Sequence, residues 1–195
     1  MSDHYRTLAA PAELRHKIER SEFLGIAFPV TSEEKFFAEL ERIQKRFYDA
    51  THHCWAFRLF ADSRARSSDA GEPSGTAGKP ILAAIKGADL FDVAVVVVRW
   101  YGGIKLGTGG LSRAYRETAA ETLRNATPRD RYVYERVHVI VPFDALGNVY
   151  RLVSPPDVVL VEEKYGDQNV FSFDVRTSRV PAFMARLSEL RLTPQ

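Results

Sequence analysis

Six consecutive apolar residues, Val93-Ala94-Val95-Val96-Val97-Val98, stand between two loops that hold most of the glycine in this chain. A strand without a polar position has no face for water, so the sheet containing it must be covered on both sides. The first loop runs Asp69-Ala70-Gly71-Glu72-Pro73-Ser74-Gly75-Thr76-Ala77-Gly78-Lys79-Pro80. The second runs Arg99-Trp100-Tyr101-Gly102-Gly103-Ile104-Lys105-Leu106-Gly107-Thr108-Gly109-Gly110-Leu111. Eight of the 12 glycines lie in them. Glycine weakens regular structure and serves where the backbone takes positive φ or approaches something closely. Both loops lead into helical periodicity, and a helix start offers an anion free N–H groups and a favourable dipole.

A chain of 195 residues suits one large or two small domains, and 45% hydrophobic residues exclude wholesale disorder. No apolar run approaches the roughly 18–20 residues of a membrane span, so no membrane partner is expected. Met1-Ser2-Asp3-His4-Tyr5 lacks the pattern of a signal peptide, and the lone Cys54 has no disulfide partner. Both observations predict a cytoplasmic protein. A formal charge of +2 is no polybasic signature, so nucleic-acid binding requires a local patch.

Leu14 to Ile18 and Phe23 to Val30 read as strands joined by a short polar turn. Thr31-Ser32-Glu33-Glu34 offers a capping box with Thr31 at the cap. Phe36, Phe37, Leu40, Ile43 and Phe47 then recur at helical spacing. His52 to Phe60 reads as a strand. Pro80 marks a helix start, and Leu111 to Asn125 is helical with Leu111, Tyr115, Ala119 and Leu123 on one face. Thr127-Pro128-Arg129-Asp130 has linker chemistry, which divides the chain into domains 1–126 and 132–195 joined by 127–131. The distal order is strand (Tyr132–Pro142), helix (Ala145–Val153), strand (Val158–Tyr165), strand (Val170–Thr177) and helix (Ala182–Leu192). That is a ferredoxin-like plan short of its last strand.

Neither loop is a Walker A motif, because Thr108 follows Gly107 where lysine is needed, and Ser112 interrupts a GxGxxG. What remains is a nest of N–H groups ahead of a helix. The candidate anion- or nucleic-acid-binding residues are Lys79, Arg99, Tyr101, Lys105, Thr108, Gly109, Gly110, Ser112 and Arg113. A phosphate or sulfate ion is expected at the Gly107–Leu111 helix start. Asp69, Gly71, Glu72, Gly75, Thr76, Gly78, Gly102, Gly103 and Gly107 are read as loop formers. Asp69 and Glu72 also make a carboxylate pair suited to acid–base work, but no nucleophile accompanies them. In His52-His53-Cys54, His52 and Cys54 share one strand face, and packing is the expected role of Cys54. The other histidines, His4, His16 and His138, are scattered, so neither a metal nor a cofactor is expected. Of Trp100 and Tyr101, one ring is expected in the core and one in solvent.

Together, His52-His53-Cys54-Trp55-Ala56, the Asp69–Pro80 loop and Val96–Leu111 resemble the YigZ/IMPACT family across residues 10–125. The distal segment is similar to the small C-terminal domain of the bacterial two-domain members. Ala70 departs from the pattern, standing where members usually carry a second Asp, which argues against an acidic pair holding a metal. The resemblance implies an α+β fold with two parts. The first is an N-terminal sheet-plus-two-helix domain similar to one in a ribosomal protein and in small-molecule kinases. The second is a C-terminal ferredoxin-like domain similar to one in elongation factor G. Eukaryotic members regulate translation under amino-acid stress through protein contacts, and nucleic-acid binding is the usual proposal for bacterial ones. The expected function is a non-enzymatic cytoplasmic binding protein, linked to RNA or a ribosome-associated protein and acting in translation or stress regulation. The alternatives are a phosphate- or nucleotide-binding small-molecule enzyme and a protein–protein scaffold.

Overall fold

The computed structural model describes residues 3–195, which form two compact units. One is Tyr5–Asp130; the other is Asp3 and His4 with Arg131–Gln195.

The N-terminal unit is built on five antiparallel strands: β2 (Ala12–Ile18), β3 (Ser21–Pro29), β4 (His52–Arg58), β5 (Ala65–Ser68) and β6 (Val93–Trp100). Their order is β2-β3-β6-β4-β5, which makes the all-apolar β6 the central strand. Side chains alternate across a strand, and the register divides them between two cores. Phe23, Ala27, Cys54, Ala56, Val93, Val95 and Val97 face one side. Helices α2 (Gly78–Gly87) and α3 (Gly107–Asn125) cover that side with Ile81, Ile85, Leu111, Tyr115 and Leu123. Leu24, Ile26, Phe28, Trp55, Phe57, Val96 and Val98 face the other, under Phe36, Leu40 and Ile43 of α1 (Glu33–Arg46). Every residue from Val93 to Val98 is fully buried, as its lack of a polar face requires. Each of the five valines contributes about 1.5 to 3 kcal/mol of burial.

Several boundaries differ from the sequence expectation, each for a local reason. The cap of α1 is Ser32, whose Oγ accepts the Lys35 N–H at 3.3 Å; Thr31 Oγ1 instead meets Lys35 Nζ. Helices α2 and α3 start two and four residues ahead of Pro80 and Leu111, because their first turns are glycine-rich and show no apolar period. The predicted linker is occupied by strand β7 (Pro128–Tyr132), which pairs with β1 (His4–Leu8) in a two-stranded sheet. Arg129, Asp130 and Arg131 are all exposed in it, so no alternation betrays the strand.

In the C-terminal unit, strands β8 (Tyr134–Val141), β9 (Val158–Lys164), β10 (Asn169–Arg176) and β11 (Thr193–Pro194) form an antiparallel sheet ordered β11-β8-β10-β9. That is the ferredoxin-like arrangement. Its fourth strand is present as two residues pairing with Ile140 and Val139. The predicted helix over 145–153 is divided into a 3₁₀ turn at Phe143–Ala145, α4 (Leu146–Val149) and a second 3₁₀ turn at Tyr150–Leu152. Helix α5 (Val180–Glu189) sets Phe183 and Leu187 against Phe171, Phe173 and Val175.

In this unit, Asp3 accepts hydrogen bonds from Arg176 Nη2 (2.8 Å) and from the Ser178 N–H (2.9 Å). These partners, Arg176 first, hold its carboxyl well below the usual carboxylate range. A depressed acid stabilises the fold above its unfolded pKa and loses that effect as pH falls toward its folded one. Asp3→Asn should therefore lower stability at pH 7 by of order 1 kcal/mol, and the gap to wild type should close from about pH 4 downward. Urea titrations at several pH values would read this; a gap that widens in acid would contradict it.

Candidate functional site

The start of β4, both glycine-rich loops and the start of α3 line one cleft of about 460 Å³. Its wall is a buried charge pair. Arg99, near the end of β6, donates from Nη1 to Glu72 Oε1 at 2.6 Å, and the Tyr115 hydroxyl of α3 donates to the same oxygen at 2.7 Å. The side chains of Arg99 and Glu72 are 5% and 3% exposed, so the pair is dry and depends on its hydrogen bonds. Arg99 Nη2 also reaches Ser21 Oγ at 3.2 Å, and Ser21 Oγ accepts the Gly102 N–H at 3.3 Å. Strand β3, the first loop and the second loop are thereby tied together. Arg99 Nε is buried and has no hydrogen-bond partner among the described residues. His52 Nε2 lies 3.9 Å from Glu72 Oε2, while its Nδ1 contacts the Ala70 carbonyl at 3.0 Å.

Asp69 organises the first loop from within. Its carboxylate accepts the N–H groups of Gly75, Ala77 and Gly78 at 2.8 to 2.9 Å. Burial raises its pKa, but these three donors together with Lys79 outweigh that and leave it lowered. Thr76 Oγ1 donates to the Pro73 carbonyl, and Gly71 and Gly75 take positive φ, as does Ala70 at +44°. Cys54 lies beneath, its thiol donating to the Asp69 carbonyl at 2.9 Å; burial pushes that thiol up to about 12. A thiol so raised supplies no thiolate near neutrality.

Helix α3 opens toward the cleft without a cap. Leu106 has no side-chain hydrogen bond at the N-terminus, and no acidic residue occupies the first turn. The first N–H groups of a helix have no partner within it, so here they remain available to a ligand. Gly107, at φ +68°, turns the chain into the helix. At Gly102 the loop passes so near Arg20 that a Cβ would lie 1.8 Å from its carbonyl oxygen.

Of the predicted binding residues, Arg99, Tyr101, Lys105 and Thr108 line the cleft. Gly109, Gly110, Ser112 and Arg113 continue along the first turns of α3, with Arg113 exposed. Lys79 is exposed at the start of α2 and is not among the lining residues. Tyr101 is 45% exposed at the cleft, whereas Trp100 is half-buried against Phe47 with its Nε1 on Asp49. Glu72 is more than the loop former expected, since its carboxylate is the centre of the buried network. Tyr115 was legible only as core; its hydroxyl was the available signal, because a buried tyrosine needs a hydrogen-bond partner. Ser21 and Thr51, which accepts the Tyr101 N–H at 3.0 Å, carry no signal in the sequence.

Comparisons with known proteins agree across the chain. The Impact N-terminal domain matches residues 19–123. The IMPACT family member YvyE of Bacillus subtilis is 32% identical over 191 residues, covering 97% of this chain and 88% of that protein. An IMPACT family member of Thermus thermophilus is 45% identical over 136 residues, covering 70% of this chain and 73% of its own. A crystal structure of a hypothetical protein aligns with a TM-score of 0.72 at 30% identity, covering 100% of this chain and 97% of that one. Among the described residues, no helix is long and apolar enough to cross a membrane. The matches cover both units, and the chain belongs to the IMPACT family.

Proposed function

We propose that this IMPACT-family protein is a non-enzymatic cytoplasmic binding protein that holds an RNA phosphate at the start of α3 and works in translation or its regulation. The observation that carries the proposal is the uncapped α3 terminus opening on a cleft that Lys105 and Arg99 also line. Donors with no internal partner are satisfied by an anion, and the helix dipole adds to the attraction. Tyr101 offers an exposed ring on which a base can stack. Binding is favoured over catalysis because the candidate acids are committed elsewhere: Asp69 to the loop backbone, Glu72 to Arg99 and Tyr115. The translation setting rests on the family resemblance.

A second reading, a free phosphorylated metabolite such as a nucleotide, is favoured by the cleft's volume and by the neutralisation of Arg99 by Glu72. Salt separates the two. For an RNA backbone, the Lys105→Ala/Arg113→Ala variant should bind a single-stranded RNA more weakly and flatten the slope of log affinity against log salt by between one and two units. For a metabolite, thermal stabilisation by nucleotide should saturate with little salt dependence. Gly109→Asp, placed where a Cβ meets nothing within 4 Å, should repel either anion by of order 1 kcal/mol. Full RNA and nucleotide affinity in both folded variants would overturn the site.

A further inference from the structure

About 15 Å further along α3, the N-terminal unit carries a second cleft of about 400 Å³, between α3 and the end of α2 and closed by β1. Its floor includes Leu8, Leu90 and Leu123, and its rim carries Arg6, Arg116 and Arg124. Arg124 has a surface contact with Glu121 at 3.4 Å, while the side chains of Arg6 and Arg116 make no ion pair or hydrogen bond among the described residues. No carboxylate and no aromatic ring lines the cleft.

We propose that this cleft docks an acidic amphipathic helix of a partner protein, with aliphatic side chains on the floor and carboxylates against the arginines. Charge complementarity selects an acidic partner, because Arg6, Arg116 and Arg124 share the rim and, among the described residues, their side chains meet one carboxylate, Glu121 at Arg124. The spread of the charges selects its form. Arg116 and Arg124 are eight residues apart, about 12 Å along α3, which a single carboxylate head group cannot bridge but carboxylates seven or eight residues apart on a helix can. The floor selects its apolar face: aliphatic side chains suit leucines at helical spacing, whereas RNA bases need aromatic platforms to stack upon. The site is separate from the α3 N-terminus and does not depend on the RNA proposal.

Fluorescence polarisation tests it with a panel of helical peptides bearing a leucine stripe and glutamates at i and i+7, each with a scrambled control. At least one patterned peptide should saturate with a dissociation constant below about 100 μM and bind tenfold or more tighter than its control. Arg116→Glu should weaken it at least tenfold. Gly87→Leu, whose Cβ enters space with no atom within 4 Å, should fill the cleft and do likewise. Lys105→Ala/Arg113→Ala should leave peptide binding unchanged, which separates this site from the other. The proposal falls if no patterned peptide saturates in that range or if scrambled peptides bind equally well. It also falls if both cleft variants bind as wild type, or if decanoate or a single-stranded RNA displaces the peptide as effectively as unlabelled peptide.

Discussion

Arg99→Ala is expected to lower the unfolding free energy of the N-terminal unit by about 3 to 5 kcal/mol. Among the described residues, the guanidinium is the one charged group bonded to Glu72 Oε1; removing it leaves a buried carboxylate held by the Tyr115 hydroxyl, with His52 Nε2 3.9 Å from its other oxygen. It also strands Ser21, which aligns β3 with the second loop. The melting temperature should fall by roughly 10 °C or more. A control distinguishes lost attraction from a stranded charge. Arg99→Met with Glu72→Met removes both ions and should recover at least half of the loss, since an apolar replacement of a buried pair is often close to neutral. Chemical unfolding followed by tryptophan fluorescence would read both. A single-variant loss under about 1 kcal/mol would mean that water reaches the pair and that the cleft wall is not dry.

Two glycines of the same loop should respond to alanine with opposite signs. At Gly102 the added methyl would lie 1.8 Å from the Arg20 carbonyl oxygen and 2.0 Å from its carbonyl carbon, both backbone atoms that no rotamer change can move aside. Gly102→Ala must displace the turn between β2 and β3 or the loop itself, and is expected to destabilise by about 3 kcal/mol or more. At Gly109 a Cβ meets nothing within 4 Å, and the residue lies in the first turn of α3. Gly109→Ala should stabilise by about 0.5 to 1 kcal/mol, because alanine loses less backbone entropy on entering a helix. Thermal unfolding of the two variants side by side would settle the contrast. Equal and small effects would mean that the loop does not pass Arg20 as closely as the structure has it.

The pattern of the chain was enough to place the central strand, the amphipathic helices and the ferredoxin-like order, because each is written as a period of apolar residues that burial enforces locally. It also located both glycine loops and, through them, the family resemblance. It did not reveal β1 and β7, whose pairing uses backbone hydrogen bonds and leaves Arg129 to Arg131 in solvent, nor the early start of α3, where glycines carry no period. Above all, sequence assigned Arg99, Glu72 and Tyr115 to three separate categories: a binding cation, a loop former and a core residue. Only the tertiary structure joined them across 27 and 43 residues of chain into one buried network. Whether a charge faces a ligand or a partner carboxylate depends on what the fold brings within 3 Å of it, and residues so far apart in sequence carry no local record of that distance.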